Sequence, residues 1–173
     1  MRIRQTLCTM NGGGNVPKAK VTTNAINDCL EMINRLGGNI EEVAKRAVYE
    51  GAKIIADEIG RNIDALPIDE HWGTRENPLH GVRKFQKDGL SESFGIAPMR
   101  NDKGLINTRL GFDHEDYNSH GQANAMIARA VNSGTSFSEK MPFFENAVRA
   151  TRAQARKKMV EAAEKELEKI TKE

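Results

Sequence analysis

The sequence feature that most constrains the fold is the stretch from Met141-Pro142-Phe143-Phe144 to the last residue, Glu173. Proline has a fixed φ and no N–H, so Pro142 suits the first turn of a helix. Apolar or small residues then share one helical face, with Leu167 close by, and neither proline nor glycine intervenes: Phe144, Val148, Thr151, Ala155, Met159, Ala162 and Ile170. This spacing predicts one long helix over 142–170, capped by the hydroxyl of Ser136 or Ser138. The two adjacent phenylalanines predict that its first turn is anchored in a core.

Two further helices are predicted upstream. Ile26, Leu30 and Ile33 share one face between a threonine cap and Gly37-Gly38, which predicts a helix over 23–36. A second helix over 40–64 follows Asn39, a cap that pairs with a glutamate three residues later. Its apolar stripe is Ala44, Val48, Gly51, Ile55, Ile59 and Ile63. Glycine within a helix costs about 1 kcal/mol relative to alanine, so Gly51 on this stripe predicts a close approach by another element.

Between residues 94 and 112 the apolar residues recur at every second position, as in a strand, and no longer at the spacing of a helix. The apolar face is predicted to carry Phe94, Ile96, Ile106, Thr108, Leu110 and Phe112, with Asn107, Arg109 and Gly111 on the other face. Asn101-Asp102-Lys103-Gly104 is a turn sequence, so 94–112 is predicted to form an antiparallel hairpin that packs on the 40–64 helix. Residues 122–131 fit a short helix or strand. The predicted fold class is α+β: a small antiparallel β-sheet packed against two to three helices, with a long C-terminal helix.

A chain of 173 residues is about one domain. We expect an N-terminal arm or strand with a glycine-rich hinge over 1–22, followed by a single α+β domain over 23–173. The glycines of Asn11–Asn15 lack the lysine spacing of a phosphate loop. No apolar run approaches the roughly 20 residues of a membrane span, and no apolar segment typical of a secretion signal follows Met1. We therefore expect no membrane association.

Residues 64–88 show no periodicity and predict a long surface loop, in which the exposed Trp72 is the most interface-like residue. The loop also contains Asp69, Glu70, His71 and His80, but their spacing matches no known metal site. Cys8 and Cys29 belong to no Cys-x-x-Cys pair. The sequence has no Gly-x-Ser-x-Gly elbow and no paired carboxylates in an apolar frame. It therefore predicts a structural or assembly protein, not an enzyme, with no metal and no cofactor.

Several short motifs recur in an order known from one protein family. A helix containing 50–58 and a loop precede Gly89-Leu90-Ser91-Glu92-Ser93-Phe94, and the hairpin follows. Ala128, Asn132 and Gly134-Thr135 then precede the 141–147 segment, which reads Met-Pro-Phe-Phe-Glu-Asn-Ala. Over roughly 43–170 the chain resembles the tail-completion, or head–tail joining, proteins of long-tailed bacteriophages, which are also called minor tail components. It departs from that family at Asn132, where glutamate is common, and in its longer 67–87 loop.

The resemblance implies an α+β virion protein, made in the bacterial host cytoplasm and assembled at the neck of the particle. It implies a ring of six copies between the capsid connector or stopper and the tail terminator or tail-tube proteins, with DNA passing nearby. Such a ring needs contacts with its own copies and with adjacent rings. The residues expected at these contacts are Trp72, Met141, Phe143, Arg149, Arg152, Arg156, Lys157 and Lys158.

The alternative function is a small nucleic-acid-binding protein that uses the basic segment of the last helix. Residues 149–158 carry five cations and no acid, which is an electrostatic footprint of phosphate binding. Several glutamates follow, and the net charge of the chain is only +2. Arg149, Arg152 and Arg156 share one face of the helix. Lys157 and Lys158 lie roughly 100° and 200° further around the helix axis than Arg156. A helix that is basic on more than one side favours protein neighbours over a single DNA groove.

Overall fold

The computed structural model describes residues 19–21, 40–113 and 115–172. Its elements in chain order are β1 (Ala19–Val21), α1 (Ile40–Asp64), α2 (Lys84–Ser93), β2 (Phe94–Ile96), β3 (Arg100–Asp102), β4 (Leu105–Phe112), α3 (Asn124–Ser133) and α4 (Phe143–Lys172). The predicted α+β class is confirmed, including the long C-terminal helix. The helix predicted over 23–36 and most of the predicted 1–22 arm lie outside the described residues.

The sheet is built around β4, which pairs antiparallel with each of the other three strands of the described ranges. Strands β2 and β3 are successive parts of one edge, and their register against β4 shifts by one residue between them. Pro98 lies in this interruption, where the missing N–H breaks no ladder hydrogen bond. The hairpin predicted across 94–112 is therefore confirmed, with an irregularity that the alternation did not predict.

The faces of β4 agree with the predicted pattern at all but one position. Ile106, Thr108, Leu110 and Phe112 are buried as expected. Asn107 was expected on the polar face, yet it is only 1% exposed. Its amide Nδ2 donates to Asp102 Oδ2 at 2.8 Å and to the Leu105 carbonyl at 3.2 Å, whereas its buried Oδ1 accepts no hydrogen bond from the described residues.

Helices α1 and α4 form the main packed pair and run antiparallel. Asn62 Nδ2 donates to the Phe143 carbonyl at 2.9 Å at one end of the pair. Arg46 Nη1 lies 2.8 Å from Glu166 Oε2 towards the other end. Between them, a Cβ on Gly51 would overlap the Met159 side chain, so the close approach predicted at this glycine is confirmed.

The apolar stripe of α1 is buried along its whole predicted length. Its C-terminal half shares a core with Leu110 and Phe112 of β4 and with the first turns of α4. Its N-terminal half packs with Ile106 of β4 and Ala163 of α4. Helix α1 is thus covered by β4, as predicted, and also by α4 along most of its length.

The first turn of α4 is anchored as predicted. Phe143 and Phe144 are 4% and 2% exposed, and their rings meet edge to face at 6.4 Å. The predicted serine cap is wrong. Asn132 Oδ1, at the end of α3, accepts the backbone N–H of Phe144 at 3.2 Å, whereas the Ser138 hydroxyl is directed to the Glu139 carbonyl. A buried side chain from the preceding helix therefore caps α4.

The non-periodic segment was predicted to extend to residue 88, but α2 begins at Lys84. The Gln86 side chain accepts the backbone N–H of Arg83 at 3.2 Å, which fixes the start of this helix. The segment 122–131 was left open between helix and strand, and the structure has a helix there, α3, over Asn124–Ser133.

Candidate interaction surfaces

The loop between α1 and α2 is organised around the carboxylate of Asp69. This carboxylate accepts the backbone N–H of His80 at 3.0 Å and that of His71 at 3.3 Å, and it also contacts His71 Nδ1. These hydrogen bonds, with the His80 N–H as the largest cause, hold the pKa of Asp69 below its ordinary value. Backbone bonds between Asp69 and Val82 and between Val82 and Pro67 close the loop at its base. The segment is a hydrogen-bonded surface loop with a defined shape.

This loop is joined to the connection between α3 and α4. The N–H of Leu79 donates to the Phe137 carbonyl at 2.9 Å, and the N–H of Glu139 donates to the Leu79 carbonyl at 2.9 Å. His80 Nδ1 lies 3.0 Å from Glu139 Oε2, and this carboxylate raises the pKa of His80. Gly73 lies so close to the Phe137 carbonyl that a Cβ there would overlap it. Two segments far apart in sequence, 66–83 and 134–140, thus form one surface, here called the loop end.

The loop end presents three large apolar side chains to solvent. Ile68, Trp72 and Phe137 are 54%, 79% and 51% exposed. The Arg83 guanidinium carbon lies 4.0 Å from the centroid of the Trp72 ring, which places a cation over one face of the indole. Tryptophan and arginine are the residue types most enriched at binding hot spots. The predicted exposure of Trp72 is confirmed, while its role at an interface stays a prediction.

Two residues expected at subunit contacts, Phe143 and Met141, pack against the core of their own chain. Phe143 is buried in the core of its own chain, so it has no surface to offer a partner, and its predicted interface role is wrong. Met141 is half-buried against the same core, and its N–H donates to the Val131 carbonyl at 2.9 Å. Both residues stabilise the corner between α3 and α4 that supports the loop end.

The five basic residues of α4 divide into two groups. Lys157 and Lys158 approach the same carboxylate, with Nζ atoms 3.9 and 3.5 Å from the oxygens of Glu161. Arg149, Arg152 and Arg156 have no carboxylate partner in the part of the chain that the structure describes. Arg149 donates instead to the side-chain oxygen of Asn146 at 3.0 Å. Glu161 carries one negative charge against two lysines and offsets their charge in part. The three arginines, which have no such carboxylate, lie on one flank of α4, here called the arginine stripe.

Sequence reasoning missed several residues that shape these surfaces. Ile68 and Phe137 belong to no periodic segment, and the His80–Glu139 contact joins residues that no local pattern connects. One signal was present for Asp69, because aspartates in loops commonly accept backbone N–H groups nearby. The shallow cavity beside the loop end has a volume of 420 Å³ and is lined by Pro78, Ser133, Gly134, Thr135, Ser136, Ser138, Glu139 and Lys140.

Across the described ranges, no cluster of three or more histidine, cysteine, aspartate or glutamate side chains is arranged to hold a metal ion. None of the helices that the structure describes is long and apolar enough to cross a membrane. Comparisons with protein-family models, with curated proteins and with solved structures found no match.

Proposed function

We propose that this chain is a structural protein of a long-tailed phage particle that assembles into a ring at the head–tail junction and catalyses no reaction. Its partners would be further copies of itself, the connector or stopper on one side, and the tail terminator or tail tube on the other. The proposal rests on the motif resemblance and on one structural observation, the ordered and exposed apolar surface of the loop end.

The motif residues have packing and capping roles in this fold. Leu90 is fully buried, and Gly89 lies so close to the Asn124 side chain that a Cβ would overlap it. Asn132 caps α4, and Gly134 ends α3 with a φ of 75°, a conformation that favours glycine. The segments that carry the resemblance therefore support the fold and the corner beneath the loop end.

The loop end has the features of a surface that another molecule covers. Three large apolar side chains stand on two loops whose backbones are hydrogen-bonded to each other. Order before binding reduces the entropy lost on association, and a central tryptophan supplies much of the contact energy in known interfaces. Subunit contacts in a closed ring would use such a surface repeatedly.

Imaging of intact particles with the chain labelled tests the function directly. We expect the label at the neck, and we expect Trp72→Ala to leave filled heads and finished tails unjoined while the variant chain stays folded. A chain found only in the host cytoplasm would contradict the proposal. So would metal-dependent hydrolysis of DNA, peptide or sugar by the purified protein that is lost on changing His71 or His80.

A further inference from the structure

We infer that the arginine stripe binds the phosphate backbone of duplex DNA. Arg149, Arg152 and Arg156 stand at i, i+3 and i+7 of α4, which places them on one helical face over about 10 Å of axis. This role goes beyond the proposed ring and does not depend on it, because the stripe is present on each single chain.

The acids that bracket the stripe are already engaged by other cations. On the N-terminal side, Glu145 lies 3.8 Å from the Nζ atom of Lys140. On the C-terminal side, Glu161 is approached by Lys157 and Lys158. The arginines therefore keep their charge without a carboxylate on the same helix to neutralise it.

This arrangement is unfavourable for the helix itself. Arg152 and Arg156 are four residues apart, and like charges at that spacing repel each other across one turn. Elsewhere on α4, the same spacing and the i, i+3 spacing join opposite charges, as in Lys157–Glu161 and Glu166–Lys169. The repulsion within the stripe is relieved when an anion binds between its guanidinium groups.

The chemistry of the stripe fits phosphate. A guanidinium group is planar and can donate two parallel hydrogen bonds to one phosphate. One strand of duplex DNA rises about 3.4 Å per phosphate, so about 10 Å of axis spans about three phosphates. Ala150, Ala153 and Gln154 are exposed near the arginines, and as small or uncharged residues they allow a backbone to approach.

Duplex DNA is favoured over an acidic protein face because α4 carries no aromatic side chain after Phe144. Among its described residues, the exposed large apolar side chain is the aliphatic Val160, four residues after Arg156. Protein interfaces concentrate aromatic side chains with arginine. That composition occurs at the loop end, where Trp72, Phe137 and Arg83 lie close together. The stripe instead offers charge without aromatic side chains, which is the composition of a non-specific phosphate contact.

The test is a salt titration of binding between the full chain and a fluorescein-labelled mixed-sequence duplex of about 30 base pairs. Three phosphate contacts predict a log–log slope near −2.7, equivalent to about a 40-fold loss of affinity between about 50 and 200 mM salt. The triple variant Arg149→Gln, Arg152→Gln, Arg156→Gln should lose this slope and most of the affinity. A triple Arg→Lys variant should keep the slope and bind more weakly, because lysine cannot donate a bidentate fork.

The matched control removes three cations of the same helix that are ion-paired: Lys157→Gln, Lys158→Gln, Lys169→Gln. Both glutamine variants lower the net charge of +2 by three units. The control should retain the wild-type slope. Equal loss in the control would show that only net charge matters and would overturn the inference. Undetectable wild-type binding at about 50 mM salt would also overturn it and assign the stripe to an acidic protein partner.

Discussion

The loop end and the arginine stripe lie on the same chain but are constructed differently. The loop end joins two segments about 60 residues apart through backbone hydrogen bonds, and it presents apolar rings. The stripe lies on one uninterrupted helix and presents charge without aromatic side chains. The loop end has the composition of a protein contact, whereas the stripe has that of a phosphate contact. The first turn of α4 lies between the two surfaces in the chain. Variants near this turn therefore test whether a change at one surface alters the other.

The largest effect is expected from Phe144→Ala, because this side chain anchors the helix that carries the stripe and follows the loop end. Phe144 is 2% exposed, and truncation of a buried phenylalanine costs about 3–5 kcal/mol. We expect that loss in the free energy of unfolding, measured by urea titration. Phe137→Ala makes the same chemical change at a side chain that is 51% exposed. If the two variants lost equal stability, the anchoring role of Phe144 would be wrong.

A smaller effect, confined to the helix pair, is expected from Gly51→Ala. The new Cβ overlaps the buried Met159 side chain, and overpacking of a core costs about 1–3 kcal/mol, which the higher helix propensity of alanine offsets in part. Gly60→Ala on the same helix meets nothing within 4 Å and should be stabilising by about 0.5–1 kcal/mol. Thermal unfolding should shift in opposite directions. If both variants lost stability, helix propensity and the overlap with Met159 would not explain the difference between the two positions.

Asn132→Ala should act mainly on the corner below the loop end. It removes the oxygen that accepts the Phe144 N–H, and loss of a helix cap costs about 1 kcal/mol. Denaturation should report that loss, and the fluorescence of Trp72, the only tryptophan, should report any change at the loop end. Asn146→Ala, at an exposed position in the first turn of α4, is the control and should leave both readouts near wild type.

The elements that sequence could predict are those in which one local period decides burial. The α1 stripe, the alternation of β4 and the close approach at Gly51 each follow from spacing within a single element. Helix α2 was missed in part because its ten residues contain only Phe85 and Leu90 as large apolar residues before Ser93. Two positions five apart do not define a helical stripe.

The loop end could not be predicted because its bonds connect residues that are far apart in sequence. The α4 cap stands 12 residues before the N–H that it accepts, and Leu79 meets Phe137 across two helices and the sheet. The stripe could be located from its i, i+3 and i+7 spacing. Its lack of acidic partners required the positions of Lys157 and Lys158 relative to Glu161.

The smallest expected effect concerns the His80–Glu139 contact, which titrates without involving the stripe. The Glu139 carboxylate raises the pKa of His80 above its ordinary value of 6.5, so the contact is fully present below 6.5 and is lost as pH rises through the raised pKa. Asp69 acts in the opposite direction. Hydrogen bonds from His80 and His71 lower the pKa of Asp69 below its ordinary value of 3.8. The Asp69 carboxylate therefore stabilises the loop end fully above pH 3.8, and this stabilisation is lost as pH falls through the lowered pKa.

The loop end should therefore be held most firmly between pH 3.8 and 6.5. Hydrogen exchange at the amides of Leu79 and Glu139 measures this, because both donate across the two segments. At each pH, the exchange rate in His80→Gln is divided by the rate in wild type, so that the intrinsic pH dependence of exchange cancels. This ratio should approach one as pH rises. Glu139→Gln should reproduce that trend, whereas DNA affinity should follow neither variant. A ratio that stays constant across the His80 titration would mean that the backbone bonds alone join the two segments.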